Sequence, residues 1–141
     1  MDLPCYIGGE PVSGEGEIAV TNPWDGSLVG TVASLTQTDA ERAVATARSA
    51  CCKLTRYERS VILSRARDVF TERADEFAQL ITSESGLCLR DSTYEIGRCR
   101  DVLHFASMEA LRDDGQIFSC DLTEHGTQRK IFTTREPHAA L

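Results

Sequence analysis

The order of predicted elements along this 141-residue chain constrains its fold more than any single motif. Residues 5–33 show short apolar–polar alternation broken by frequent turns, which is typical of β-strands. The middle of the chain has an apolar period near 3.6, which predicts amphipathic helices, and residues 116–134 return to strand patterning. Because strands and helices fall in separate blocks, we expect a mixed α/β fold that is α+β within these residues. It would comprise an N-terminal β-meander, three to four helices and a C-terminal β-hairpin.

Turn residues divide the first block into strands. Gly8-Gly9 separates residues 5–7 from residues 10–12, which predicts a short hairpin. The segment Asn22-Pro23-Trp24-Asp25-Gly26 predicts a turn, since proline fixes φ and glycine tolerates positive φ. Alternating residues before this turn and β-branched residues after it predict a second strand pair over residues 18–32.

Helix-start signals recur in the middle block. Thr38-Asp39-Ala40-Glu41 and Thr55-Arg56-Tyr57-Glu58 each match a capping box, in which the threonine hydroxyl and the acidic side chain satisfy unpaired backbone amides. A restarted apolar period near residue 77 precedes Gly86, a predicted helix stop. A further helix is predicted over residues 89–111. Residues 116–120 and 130–134 then predict a long hairpin.

The charge balance limits the classes of partner. The chain has 15 Lys and Arg against 22 Asp and Glu, for a net charge of −7, which disfavours nucleic acid or an anionic membrane as the main partner. We find no apolar run of the roughly 18 residues that a spanning helix needs. Residues 1–5 carry neither a basic nor an apolar signal region. We therefore expect a cytoplasmic chain that binds neither nucleic acid nor membrane.

The spacing of cysteines and histidines predicts no metal centre or catalytic motif. The six cysteines form no C-x-x-C pair, and no histidine lies at ligand spacing from the adjacent pair at positions 51 and 52. We expect reduced, mostly buried thiols. His104, His125 and His138 are predicted to lie on a helix, in a turn and in the tail. The sequence also lacks the glycine-rich dinucleotide and phosphate loops and a local nucleophile–histidine motif.

A set of short motifs spread over residues 6–137 resembles the N-terminal region of the aldehyde dehydrogenase superfamily. These motifs are Tyr6-Ile7-Gly8-Gly9-Glu10, Val20 to Gly26, Asp39 to Arg48, Glu58 to Leu63, Glu84-Ser85-Gly86, Glu95-Ile96, Phe105-Ala106 and Thr134-Arg135-Glu136-Pro137. Within the superfamily, residues 84–89, 115–123 and 129–137 look most like the phosphonoacetaldehyde dehydrogenase branch, although the lysine usual after Gly86 is missing.

This resemblance implies an activity that lies mostly outside these residues. It implies oxidation of a small aldehyde, phosphonate-bearing in this branch, to the acid with NAD or NADP. Residues 1–114 would form the N-terminal part of the cofactor-binding domain. Residues 115–141 would form a bridging hairpin, through which family members assemble as homo-oligomers, and the entry to the dinucleotide-binding core.

The same resemblance implies that the reactive groups follow the Arg135-Glu136-Pro137 entry, and residues 138–141 depart from the family pattern. The nucleophilic cysteine, the general-base glutamate and the cofactor-binding strands would all lie there. We expect an N-terminal fragment that binds no cofactor and is inactive by itself. The alternative is a non-catalytic helical interaction domain on the same scaffold.

Two groups of candidate site residues follow from the resemblance. Arg98, with Arg100 as a second choice, would bind the anionic group of the substrate, because a guanidinium binds such anions in a bidentate way. The alternative for Arg98 is an ordinary ion pair with Glu95 three residues earlier. The backbone carbonyls of Val20 and Thr21, with the Glu84 carboxylate, would bind a structural monovalent cation. The alternative for Glu84 is local capping or pairing.

Overall fold

The computed structural model describes residues 2–50 and 53–136. Seven short strands are present: β1 (Asp2–Leu3), β2 (Cys5–Ile7), β3 (Glu10–Val12), β4 (Gly16–Thr21), β5 (Leu28–Ser34), β6 (Ile117–Phe118) and β7 (Ile131–Phe132). Strands β4 and β5 pair antiparallel, and β1 joins β5 in parallel. Strands β2 and β3 form a separate antiparallel hairpin. The predicted mixed fold is confirmed, with the N-terminal strands divided between two small sheets.

The turn between β4 and β5 is held by its own side chains, as its composition predicts. Trp24 donates its backbone N–H to Asn22 Oδ1 at 2.9 Å, and Ser27 donates its backbone N–H to Asp25 Oδ1 at 2.9 Å. Gly26 has a φ of 72°, which favours glycine. Trp24 lies at the tip with 92% of its surface exposed.

Four helices follow: α1 (Gln37–Ser49), α2 (Arg56–Glu72), α3 (Ala74–Ser85) and α4 (Leu89–Glu109). The capping box predicted at Thr55 and Glu58 is confirmed. The box predicted at Thr38 is wrong, because α1 begins two residues earlier, with Thr36 as its N-cap. Thr36 Oγ1 accepts from the Asp39 N–H at 3.2 Å, and Asp39 Oδ2 accepts from the Thr36 N–H at 3.1 Å. An aspartate therefore takes the place of the expected glutamate.

Helix α4 packs against both α2 and α3. Ser92 is fully buried, and its hydroxyl forms a 2.8 Å hydrogen bond with that of Thr82 across the α3–α4 contact. The rings of Phe70 and Phe77 stack at 4.7 Å where α2 passes into α3. Among the described residues, however, the buried apolar side chains are Ala78 and Ile96 alone. The helices touch one another without enclosing a core.

The C-terminal strands form the predicted antiparallel hairpin, although each spans two residues rather than five. Ile117 pairs with Phe132 and Phe118 with Ile131. All four side chains are exposed, and Ile117 reaches 89%. The sequence between the strands forms a short 3-10 turn at Glu124–Gly126, which holds His125 as predicted.

The prediction of mostly buried thiols is wrong for the described cysteines. Cys88 and Cys99 are exposed, and Cys5 and Cys120 are half-buried. Cys51, Cys52, Pro137 and His138 lie outside the described residues. Over residues 2–50 and 53–136, no helix is both long enough and apolar enough to cross a membrane.

Candidate functional site

The C-terminal end of α3 meets the turn between β4 and β5 at a glycine. Gly86 follows α3 with a φ of 74°, and a Cβ built there would lie 2.9 Å from Pro23 Cγ. Only a residue without a side chain allows this approach at normal distances. The contact brings Glu84, two residues earlier, beside the end of β4.

Glu84 and Val20 line the same small cavity between α3 and the β1–β5–β4 sheet. Its volume is about 20 Å³, and Leu3, Gly30 and Leu80 also line it. A space of this size holds about one water molecule or small ion. Thr21 is not among the lining residues; it lies just past a β-bulge and is exposed. The structure therefore brings together two of the three residues predicted to bind a cation.

The oxygen donors around this cavity are of the kind that a hard monovalent cation prefers, but few of them come from acidic side chains. Across the described parts of the chain, no three His, Cys, Asp or Glu residues are grouped as a metal site. A cation here would therefore take one oxygen from Glu84 and the others from backbone carbonyls. Oxygen ligands of this kind are those that hard cations prefer.

The two candidate substrate-binding arginines lie on different faces of α4. Consecutive helical residues are about 100° apart, so Arg98 and Arg100 are separated by about 200°. Arg98 Nη1 lies 3.0 Å from Glu95 Oε1 and 3.2 Å from Oε2, with 61% of its side chain exposed. The geometry is that of the same-helix ion pair considered as the alternative. The two arginines cannot share one small anion.

A larger cleft, of about 710 Å³, lies between the start of α2 and the end of α4. Arg56 forms an ion pair with Asp113 across it, and Arg112 binds both Glu109 and Asp114. Hydrogen bonding to Glu109, and then to Asp114, raises the pKa of Arg112. Four arginines and three carboxylates line the cleft, so its charges nearly cancel: Arg56, Arg59, Arg112, Arg135, Glu109, Asp113 and Glu136. We interpret it as an electrostatic contact between α2 and α4.

Sequence reasoning missed this contact between helices. The spacing of Glu109 and Arg112 indicates a local pair. Nothing in the sequence connects Arg56 with Asp113, because they are 57 positions apart and only the antiparallel packing of α2 and α4 brings them together.

Comparison with known proteins defines the family to which this chain belongs. The sequence model of the aldehyde dehydrogenase family matches residues 11–141, so this chain belongs to the aldehyde dehydrogenase family. Aspartate-semialdehyde dehydrogenase 1 of Pseudomonas canavaninivorans is 38% identical over 126 residues, covering 87% of this chain and 27% of that protein. The 3-sulfolactaldehyde dehydrogenase of Priestia megaterium is 28% identical, covering 94% of this chain and 28% of that protein.

Solved structures agree on the fold. Aldehyde dehydrogenase 21 of Physcomitrella patens, in complex with succinate, superposes with a TM-score of 0.83 and 26% identity over 89% of this chain and 27% of that one. NADP-dependent glyceraldehyde-3-phosphate dehydrogenase of Bacillus halodurans, complexed with NADP, gives a TM-score of 0.81 at 24% identity over 89% and 28%. The chain spans just over a quarter of the length of these proteins.

Proposed function

We propose that this chain is the N-terminal part of an NAD(P)-dependent aldehyde dehydrogenase that oxidises a small anionic aldehyde to the acid. The observation that carries the proposal is the family match over residues 11–141. Relatives of this chain are named for aldehydes that carry a carboxylate or a sulfonate: aspartate semialdehyde, 3-sulfolactaldehyde, glutarate semialdehyde and α-ketoglutaric semialdehyde. A phosphonate-bearing aldehyde fits the same class and is favoured by the motifs at residues 84–89, 115–123 and 129–137.

The chemistry of this class requires groups that we assign to other parts of the enzyme. A cysteine thiolate attacks the aldehyde, a hydride passes to the nicotinamide, and water hydrolyses the thioester. We assign none of these steps to the cysteines described here. NAD or NADP would bind to the same other parts, so we expect the 141-residue chain to be inactive and to bind neither dinucleotide.

In this proposal residues 1–114 belong to the cofactor-binding domain and act in the cytoplasm. Residues 115–141 would contribute both the hairpin through which the enzyme assembles as a homo-oligomer and the entry to the dinucleotide-binding core. The exposed apolar side chains of β6 and β7 support this role, because such surfaces mark sites of association. The alternative, a non-catalytic helical interaction domain, requires a core of its own, which Ala78 and Ile96 alone do not provide.

A segment exchange tests the proposal directly. The matching N-terminal segment of the P. canavaninivorans relative is replaced by this chain, and reduction of NAD and NADP is followed with anionic and uncharged aldehydes. We expect aldehyde oxidation, because the fold of this segment is shared across the family. The control is the same enzyme with its own segment reinserted. A folded, oligomeric hybrid without activity would contradict the proposed function.

The hybrid also tests Arg98 as an anion-binding residue. Arg98→Ala should raise KM for anionic aldehydes by roughly tenfold or more, since a hydrogen bond to a charged group contributes about 1.5–3 kcal/mol. KM for an uncharged aldehyde should not change. Arg90→Ala is the matched control, because Arg90 pairs with Asp91 on the same helix and is 89% exposed. Equal KM values for anionic aldehydes before and after Arg98→Ala would exclude this role.

We also propose that the cavity beside Glu84 binds a monovalent cation through the Glu84 carboxylate and the Val20 carbonyl, without Thr21, which does not line the cavity. The thermal midpoint of the hybrid should then rise with K⁺ or Na⁺ concentration, since a ligand that binds only the folded state stabilises it. Glu84→Gln should weaken this dependence, whereas Glu41→Gln on α1 should leave it intact. A salt response that is the same in both variants would argue against the site.

A further inference from the structure

One side-chain contact joins α2 to α4 through a histidine. Arg67 Nη1 lies 3.3 Å from His104 Nδ1, although the two residues are 37 positions apart in the sequence. The packing of α2 against α4 brings them together. Within residues 2–50 and 53–136, the imidazole has no other hydrogen-bond or ion-pair partner. The contact therefore depends on one nitrogen of one ring.

The chemistry of the pair fixes the protonation state of His104. A guanidinium carries five N–H donors, accepts no hydrogen bond and is not deprotonated in proteins. Arg67 must therefore donate, and Nδ1 of His104 must accept. A ring nitrogen accepts only without a proton, so the imidazole is neutral and carries its proton on Nε2. The contact exists in this neutral form alone.

Asp68 holds the Arg67 guanidinium from its other edge. Arg67 Nε and Nη2 both donate to Asp68 Oδ1, at 3.0 and 2.7 Å. These bonds leave Nη1 for His104. Because the carboxylate occupies the Nε–Nη2 edge, it does not come between the guanidinium and the imidazole. A protonated His104 would therefore face a positive group directly.

The charged side chains on the packed helices do not offset this repulsion. On α4 itself, Arg100 and Asp101 lie one turn before His104 and carry opposite charges. On α2, the charged groups at the contact are Arg67 and Asp68. Helix α3 also packs against α4, and none of its acidic side chains bonds to the imidazole in the described part of the chain: Asp75, Glu76 and Glu84.

We propose that the Arg67–His104 contact is a pH-sensitive latch between α2 and α4. Histidine ordinarily gains its second proton near pH 6.5. Protonation of His104 removes the acceptor and places two cations together, so the latch opens and α4 is held less tightly against α2. The unfolded chain then binds more protons than the folded one, and the stabilisation is lost as pH falls. The inference needs only the fold of these residues and does not depend on the proposed function.

Hydrogen exchange followed by mass spectrometry tests the latch in the 141-residue chain. Protection of the halves of α2 and α4 that carry Arg67 and His104 is compared with protection of α1, which corrects for the intrinsic pH dependence of exchange. Measurements at about pH 8 and about pH 5.5 lie on either side of the histidine range and above that of carboxyl groups. We expect relative protection to fall about two- to fivefold at the lower pH, the usual size of one charge contact at a surface. Unchanged relative protection would overturn the proposal.

Two histidine variants assign the pH response. His104→Asn keeps an acceptor near the position of Nδ1 but cannot titrate, so its relative protection should be the same at both pH values. His125→Asn is the matched control, because His125 lies in the 3-10 turn and its ring forms no hydrogen bond among the described residues. It should keep the full response. A response that persists in His104→Asn, or that disappears in His125→Asn, contradicts the latch. The hybrid enzyme serves as a second host, so that the comparison does not depend on the stability of the isolated chain.

Discussion

Gly86 is constrained both by its backbone conformation and by its neighbour. Its φ of 74° lies in the left-handed region, and a Cβ would meet Pro23 Cγ at 2.9 Å. The sequence predicts the first constraint, because glycine after an apolar helical pattern is a common stop signal. It does not predict the second, since only the packed structure places Pro23 against this corner.

We therefore expect substitution of Gly86 to lower the free energy of unfolding. Gly86→Ala should lower the free energy of unfolding by about 1–2 kcal/mol from the left-handed backbone alone, with the Pro23 contact adding to it. Gly97→Ala is the control, because Gly97 lies within α4 and a Cβ there meets nothing within 4 Å. It should stabilise the helix by up to about 1 kcal/mol. Urea unfolding of the hybrid enzyme measures both, and effects of the same sign would refute the explanation.

Arg98 and Arg100 show how much of a residue's role can be predicted from the sequence. The spacing places Arg98 on a helix and indicates its pair with Glu95, which the structure contains. The spacing also implies that Arg100 faces elsewhere. What approaches Arg98 in a complete enzyme depends on chain outside the described residues, so its role in binding the substrate stays a prediction.

Among the elements, the helix starts show how a local rule can point to a neighbouring residue. Two threonines near the start of α1, Thr36 and Thr38, each have an acidic residue three positions later, and Thr38 lies inside the helix. The rule alone favours the threonine–glutamate pair, whereas the structure uses Thr36 with Asp39. At α2 only one such pair exists, and the prediction is confirmed at Thr55 and Glu58.

Both capping boxes should make helix stability depend on pH. Hydrogen bonds from the Thr55 backbone N–H and then its hydroxyl lower the pKa of Glu58 below its ordinary 4.5, and Thr36 likewise lowers the pKa of Asp39 below 3.8. A lowered pKa means a stabilising contribution that is complete above the ordinary value and is lost as pH falls through the lowered one. Helix content measured by circular dichroism should therefore fall below about pH 4.5.

Variants separate this effect from general acid unfolding. Glu58→Gln should remove the part of the pH dependence that belongs to α2, while Glu72→Gln, at the other end of the same helix, should not. Thr55→Ala should cost about 1 kcal/mol at neutral pH, as is usual for loss of an N-cap. An unchanged titration of Glu58 in Thr55→Ala, followed by NMR, would contradict the proposed cause.

At the scale of the whole molecule, the sequence predicts the helices and strands well, but residues 2–50 and 53–136 do not enclose a core of their own. Apolar periodicity locates α2, α3 and α4, but it cannot say whether the apolar face of each helix finds a partner within the same chain. For most of these side chains it does not: Val102 and Phe105 stay exposed, while Ile96 on the same helix is 4% exposed.

The stability of the isolated chain should therefore be marginal and unevenly distributed. Ile96→Ala should destabilise it by about 2–5 kcal/mol, the usual cost of a large-to-small change in a buried site. Phe132→Lys should leave the unfolding midpoint nearly unchanged and improve solubility, because the ring is 70% exposed. Thermal unfolding measures the midpoint of both variants, and sedimentation measures their solubility. A steep, high-temperature transition of the unsubstituted chain would show that a core exists after all.

Trp24, at the tip of the turn between β4 and β5, is the only tryptophan in the sequence. Its indole is almost fully in contact with water, so the intrinsic fluorescence of the chain reports on this one loop. A blue shift of the emission on mixing with another polypeptide would show that the turn has lost its water. An unchanged spectrum alongside a proven complex would place the turn at the outer surface of the assembly.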